Sequence, residues 1–315
     1  MFKRVKRRAF TMIEMIMVIV ILGIVSMIGT NIIANMYESY IRTQIINELQ
    51  QKTELTINQI TKRLKYRIKP SVISKNRTNP NDFKELSNDD NVVVYNVLEW
   101  IGYDNESFMG EWNGTRHTPG WSGFVDLDAP DTNVSRIRTS GSTLAFARQN
   151  ILALSNNQVD IVAGAQYPAL IFKKLDNIAP VTFGFDPAIN DASNTLPVRL
   201  INNNVLEFVN NDGTINDTNK TLYEQYHLAW SAYAIAPSNV DDINSTDFNL
   251  TLHYNYQPWH NERFDTNTTS TVLLAENVST FVFTQTGNTI QIKLCIQDGN
   301  RTGVPIVFCK EKAIF

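Results

Sequence analysis

Cysteine is nearly absent from this chain: two occur in 315 residues, Cys295 and Cys309, both near the C-terminal end. With no CxxC pair and no Cys/His cluster, neither a metal centre nor a dithiol redox site is indicated. Histidine is equally sparse. Of His117, His227, His253 and His260 only the last two stand close, around Pro258, and they read as hydrogen-bonded sheet residues rather than ligands. No nucleophile elbow is present either, because Gly120-Trp121-Ser122-Gly123 lacks the glycine one position later, where Phe124 stands. Without an acid/base pair or a convergent nucleophile, an enzyme is not expected, and no cofactor is implied. Beyond the first nine residues a basic stripe is also missing, and over the chain 28 Lys and Arg stand against 31 Asp and Glu, for a net charge of −3. Nucleic-acid binding is therefore not expected. Finally, proline and glycine are absent from Thr30 to Lys69, which leaves nothing there to break a helix.

What is present is concentrated at the N-terminus. Residues Phe10 to Gly29, FTMIEMIMVIVILGIVSMIG, are apolar apart from Glu14. Twenty helical residues at ~1.5 Å each cover the roughly 30 Å hydrocarbon core of a bilayer. A carboxylate within such a run costs about 2.5–3.5 kcal/mol at mid-membrane, so Glu14 calls for a functional partner. Lys3, Arg4, Lys6, Arg7 and Arg8 precede the run and place this end in the cytoplasm by the positive-inside rule. An ordinary secretory signal has a shorter apolar core with its small-residue cleavage site on the far side. Here the small residue, Ala9, lies between the basic cluster and the apolar run, so cleavage there would leave the hydrophobic helix on the mature protein.

These residues resemble the prepilin-type leader of type IV pilins and type II secretion pseudopilins. In that family a basic leader is removed on its cytoplasmic side, the new N-terminal residue is usually an N-methylated Phe, and a Glu stands five residues into the mature chain. The resemblance implies cleavage between Ala9 and Phe10, methylation of Phe10, and Glu14 as the assembly carboxylate. Ala9 departs from the family's usual Gly at the cut. A buried carboxylate needs a cation, and cleavage would create one, the free Phe10 amine of a neighbouring subunit. The other reading of the run is a plain single-pass anchor. Implied partners are other pilin or pseudopilin subunits, a prepilin peptidase/methyltransferase, inner-membrane lipid and an inner-membrane assembly platform. The implied location is the bacterial inner membrane with the N-terminus cytoplasmic, then a periplasmic pseudopilus or an extracellular filament.

Beyond the apolar run the sequence becomes amphipathic, with Ile41, Ile45, Leu49, Ile57, Ile60, Leu64 and Ile68 at helical spacing up to Pro70. This predicts one helix over 10–69, about 90 Å long. Its second half is expected to pack on its own domain rather than form a coiled-coil dimer, because its heptads are short and irregular. Residues 1–9 are the leader, 70–91 read as a polar loop, and 92–315 as a β-rich domain. In that domain VVVYNVLEW, STLAFARQ, ALIFKKL, VTFGF, VLEFV, YHLAWSAYAI and LTLHYNY alternate with turn residues in the rhythm of antiparallel sheet. VSTFVFTQ and TIQIKLCIQ flank Thr286-Gly287-Asn288 as a hairpin, and VPIVFCK follows as a third strand. Outside the cytoplasm Cys295 and Cys309 are expected to be disulfide-bonded, the alternative being two buried free thiols. A cysteine pair in such a sheet also resembles the disulfide region of many pilins. The expected class is α+β, pilin-like, with the long helix on a large antiparallel domain.

Three further features remain. Trp100, Tyr103, Phe108, Trp112 and Trp121 form an aromatic concentration that reads as a satellite core before a contact surface. The acidic stretches Asp126 to Asp131 and Asn239 to Asp247 fit no calcium loop and read as solvated turns. Eleven Asn-x-Ser/Thr sequons occur, and seven carry an acidic residue two positions before the Asn: Asn113, Asn133, Asn219, Asn244, Asn249, Asn267 and Asn300. At this acidic content about one would be expected by chance, and the pattern resembles the acceptor sequon of bacterial oligosaccharyltransferases; the competing explanation is the shared preference of these residues for loops. Because the major subunits of the family it resembles are usually much smaller, the resemblance implies a minor subunit at a tip or in initiation. The alternative is a tip adhesin or substrate receptor on a prepilin-type anchor.

Overall fold

The structure is a computed structural model that describes residues 11–79, 81–86, 94–174, 178–189, 191–239, 247–266, 269–299 and 305–315. It begins with one unbroken helix, α1 (Met12–Leu64), of 53 residues. Nothing interrupts it because no proline and only Gly23 and Gly29 fall inside it. Its second half buries Ile45, Leu49, Thr53, Thr56, Ile57, Ile60 and Leu64, a stripe repeating at three and four residues. The chain leaves it through a 3₁₀ turn at Lys69–Ser71, with Pro70 in the first turn.

The rest follows in the order β1 (Ile73–Lys75), β2 (Phe83–Glu85), β3 (Val97–Gly102), α2 (Asn105–Met109), β4 (Glu111–Trp112), β5 (His117–Thr118), β6 (Arg136–Arg138), α3 (Leu144–Leu154), β7 (Ala169–Phe172), β8 (Leu196–Asn202), β9 (Val205–Phe208), β10 (Tyr226–Ala229), β11 (Ser231–Ser238), β12 (Phe248–Tyr256), β13 (Ser270–Thr286), β14 (Thr289–Gln297) and β15 (Val307–Ile314). Among the described residues every pairing between these strands is antiparallel, within an eight-stranded sheet ordered β15-β14-β13-β12-β11-β3-β1-β2, a five-stranded sheet ordered β10-β7-β8-β9-β6 and a two-stranded one of β4 and β5. The class is α+β, as the sequence indicates.

Alternation along the strands sets the layers. On β3, Leu98 and Trp100 join the core under α1, with Ile235, Leu250, Phe281, Ile292 and Leu294. Val97 and Ile101, on the opposite face, pack with Ala169 and Ile171 of β7. The other face of β7 sends Leu170 and Phe172 into a third core with Leu144 and Ile151 of α3. The molecule is therefore layered as α1, large sheet, small sheet, α3. The chain passes between the sheets at Trp230, where β10 ends and β11 begins. The segment YHLAWSAYAI thus forms two strands in two sheets.

Three further segments depart from expectation. STLAFARQ forms α3, not a strand: buried Leu144, Ala147 and Ile151 follow a helical period that becomes visible once the window reaches Leu154. VTFGF is a 3₁₀ turn (Pro180–Phe183), opened by Pro180 and closed by Gly184 at φ +84°. Segment 70–91 carries β1 and β2, which complete one end of the large sheet.

The C-terminal hairpin forms as its sequence signals, with Thr286 paired to Thr289 around Gly287 at φ +60°, a backbone region that favours glycine. Cys295 and Cys309 face each other in register on β14 and β15 and are disulfide-bonded. Closing this 14-residue separation stabilises the fold by about 3 kcal/mol in the chain-entropy treatment. Replacing both cysteines by Ser should lower the unfolding free energy measured in urea by that amount, and reductant should then have no further effect; a variant as stable as oxidised wild type would contradict this.

Candidate functional site

The N-terminus of α1 is closed by a capping box. Glu14 N–H donates to Thr11 Oγ1 at 3.4 Å, and Glu14 Oε2 accepts from Thr11 N–H at 3.2 Å and from Thr11 Oγ1 at 3.2 Å. The carboxylate is thus turned back toward the start of its own helix, where the helix dipole is positive. Ala9 and Phe10 lie outside the described residues, so the cut and the methylated amine are not placed by the structure.

From Met12 to Ile33 every large apolar side chain is at least half exposed, from Val18 at 50% to Met12 at 87%. Nothing among the described residues covers this half, and the segment is long and apolar enough to cross a membrane. Each of these side chains gains about 1.5–3 kcal/mol on full burial, so the bare half is a surface for lipid or for other apolar helices.

The second half is fastened to the domain. Besides its apolar stripe, Thr56 Oγ1 donates to the Leu274 carbonyl at 3.2 Å, Lys312 Nζ donates to Asn58 Oδ1 at 2.6 Å, and Lys310 pairs with Glu54. The expected packing on its own domain is what the structure holds.

The aromatic concentration divides. Trp100 lies in the core under α1 and Trp121 in the third core, its Nε1 donating to the Asp104 carbonyl at 2.8 Å. Phe108, Met109, Trp112 and Phe124 remain exposed. Among the described residues no group of three or more His, Cys, Asp and Glu could hold a metal. Asp131 is engaged by Arg138 and Asp126 accepts from Ser140, so the first acidic stretch is tied within the chain; most of the second lies outside the described residues. Asn113, Asn133 and Asn219 are exposed outside the strands, whereas Asn249 is half-buried on β12. Asn244, Asn267 and Asn300 lie outside the described residues.

Two buried polar constellations had no clear sequence signal. Lys75 and Glu99, each with a side chain 1% exposed, form an ion pair at 2.8 Å, and Tyr256 donates to Glu99 at 2.8 Å. Lys75 also donates to the Phe185 carbonyl at 3.3 Å and stands 5.6 and 5.8 Å from the Phe185 and Phe264 rings. Burial beside the Glu99 carboxylate pushes the Tyr256 phenol well above its ordinary range. The second constellation surrounds Asp104, which caps α2 by accepting from Ser107 N–H at 3.2 Å while its Oδ2 has no partner among the described residues. Burial pushes its carboxyl up to about 7. Close by, His227 stacks on Tyr103 at 4.9 Å, and burial together with the Lys173 charge pushes it down to about 4.

Comparison with known proteins bears on the helix. The family model of the prokaryotic N-terminal methylation motif matches residues 4–30. Together with the bare apolar helix, this makes the N-terminus a type IV pilin-like prepilin segment. No curated protein and no solved structure matches the chain.

Proposed function

Starting from a type IV pilin-like prepilin segment, we propose that this chain is a minor subunit of a type IV pilus or type II secretion pseudopilus, placed at the tip or in the initiating complex. The observation that carries this reading is the division of α1. One half is bare and apolar and the other is fastened to a large domain, with a single carboxylate turned toward the end that processing would free. The motif points to a structural subunit, and the role is subunit association rather than chemistry on a substrate. Before assembly the bare half sits in the inner membrane; afterwards neighbouring helices cover it. Cleavage between Ala9 and Phe10 would supply a cation at the helix start, and Glu14 of one subunit would exchange its own Thr11 for the Phe10 amine of another. The size of the domain favours a place at an end of the filament, where it does not crowd a repeating surface. The receptor alternative is weakened, because two of the three tryptophans that would have formed its contact surface are in the core.

The test is the N-terminal sequence and mass of the native protein, with Glu14→Ala beside wild type. The expected wild-type chain begins at methylated Phe10 and appears in sheared filaments. The Glu14→Ala chain should be cleaved but retained in the membrane, with its filament fraction down at least tenfold. A chain still beginning at Met1, or normal incorporation of the variant, would overturn the reading.

A further inference from the structure

The sequons with a preceding acidic residue are distributed over the fold in a way that composition alone does not require. Four asparagines lie within α1, Asn31, Asn35, Asn47 and Asn58, and none starts a sequon. Among the described residues, Asn113, Asn133 and Asn219 are exposed and sit around the small sheet and its helices, on the side of the large sheet opposite α1. Asn113 is in the turn between β4 and β5. Asn133 precedes β6. Asn219 lies in the connection between β9 and β10.

Two of these sites are one surface. Lys220, the middle residue of the Asn219 sequon, donates through Nζ to the carbonyl of Val134, the middle residue of the Asn133 sequon, at 2.9 Å. The same Nζ bonds the Asn216 and Thr218 carbonyls at 3.0 and 2.8 Å, which fixes the connection against the turn. At Asn113 the Oδ1 accepts from Thr115 N–H and Arg116 N–H, both at 3.0 Å. At Asn133 it accepts from Ser135 N–H and Ser135 Oγ, both at 2.9 Å. In both turns the hydroxyl residue two positions on is thereby drawn to the amide oxygen, while Nδ2 donates to no acceptor among the described residues. The acidic partners differ. Glu111 and Asp217 are exposed, but Asp131 is engaged by Arg138.

We propose that Asn113, Asn133 and Asn219 are acceptors of N-linked glycans that clothe the face of the domain remote from α1. The donor is a polyprenyl-pyrophosphate-linked oligosaccharide and the catalyst a membrane oligosaccharyltransferase. Nδ2 attacks the anomeric carbon, the bond from that carbon to the pyrophosphate oxygen breaks, the lipid pyrophosphate leaves with the electron pair, and the Nδ2 proton passes to a base of the transferase. The exposed carboxylate two positions before the Asn offers a charge to a cationic group on that enzyme, so Asn113 and Asn219 are modified more fully than Asn133. Asn249, held on β12 between two neighbouring strands, is not modified. The inference rests on the preceding reading for its topology, which exports this face.

The experiment is intact-mass analysis and glycopeptide mapping of full-length protein from its native host, in wild type and in the variants Asn113→Gln, Asn219→Gln, Asn249→Gln and Glu111→Gln. Wild type should exceed its polypeptide mass by multiples of one glycan. Asn113→Gln and Asn219→Gln should each remove one unit, Asn249→Gln none, and Glu111→Gln should cut occupancy at Asn113 at least fivefold. Bare polypeptide mass overturns the proposal, as does equal modification of Asn249. The N-terminal sequence from the same sample keeps the two readings apart: a chain starting at Phe10 without glycan sinks only this inference, whereas one starting at Met1 sinks the pilin reading and leaves the glycan to be judged by its own mass.

Discussion

Glu99→Ala should destabilise the domain by about 3–5 kcal/mol, and Lys75→Met by a comparable amount, because either leaves a charge buried without its partner. The pair is dry: both side chains are 1% exposed. Aromatic rings stand over Lys75 where water would otherwise solvate it. What Lys75 and Glu99 hold is the end of a sheet. β1 has only three residues, all buried, and lies between β2 and β3. Ile73 is the register partner of Glu99, so the ion pair runs diagonally to Lys75 across the β1–β3 ladder. The double change Lys75→Met with Glu99→Leu should recover most of the loss, since an apolar pair of similar volume avoids the desolvation of both ions. Urea denaturation of the detergent-solubilised full-length chain decides this. Single variants within 1 kcal/mol of wild type would mean that the pair is solvated rather than dry.

Asp104 supplies the second large effect, one of unusual sign. Its folded carboxyl is held up at about 7, against about 4 in an unfolded chain. The contribution is therefore fully favourable below pH ~4 and is lost as pH rises to 7, amounting to about 4 kcal/mol across that window. His227 works the other way: kept neutral down to about 4, it contributes above pH ~6.5 and loses that contribution as pH falls through this window. The two oppose one another, so the wild-type profile alone does not separate them. Asp104→Asn does, since Asn retains an oxygen for the Ser107 cap but carries no charge. That variant should match wild type near pH 4 and exceed it clearly at pH 8, as read from unfolding midpoints at the two values. An equal difference at both would show that Asp104 keeps an ordinary affinity for protons.

Both effects belong to residues that sequence reasoning passed over, and the reason is physical. Lys75 stands in SKNRTNPN, where every local signal says loop; only the tertiary placement of β1 between two strands makes it interior. Asp104 and His227 lie far apart in the chain, and their burial depends on how the small sheet packs on the large one. The features that were legible are those with local causes. The long helix follows from absent breakers and a repeating apolar stripe, the C-terminal hairpin from Gly287, and the disulfide from two neighbouring strands. α3 was missed because a short apolar run has no readable period until its remaining turns are counted. At the N-terminus, Glu14 stood out because a charge in an apolar run has few explanations. Its reciprocal bonds with Thr11 had a local signal as well, the Thr-x-x-Glu spacing of a capping box at Thr11 to Glu14, which the reading of Glu14 as a lone charge passed over.

The fastening of α1 to the C-terminal strands has a consequence for the order in which the protein can be made. The buried stripe of the helix, from Ile45 to Leu64, is covered largely by β13, β14 and β15, all of which lie after residue 269. Lys310 and Lys312, which grip Glu54 and Asn58, are among the last six residues of the chain. Until these strands have been made, the helix is without most of its partners along that face. Contacts of such high sequence separation form slowly and leave apolar surface open meanwhile. α1 thus emerges before the strands that enclose it by more than two hundred residues. A chain cut short before β15 would carry the complete apolar helix joined to an unclosed domain.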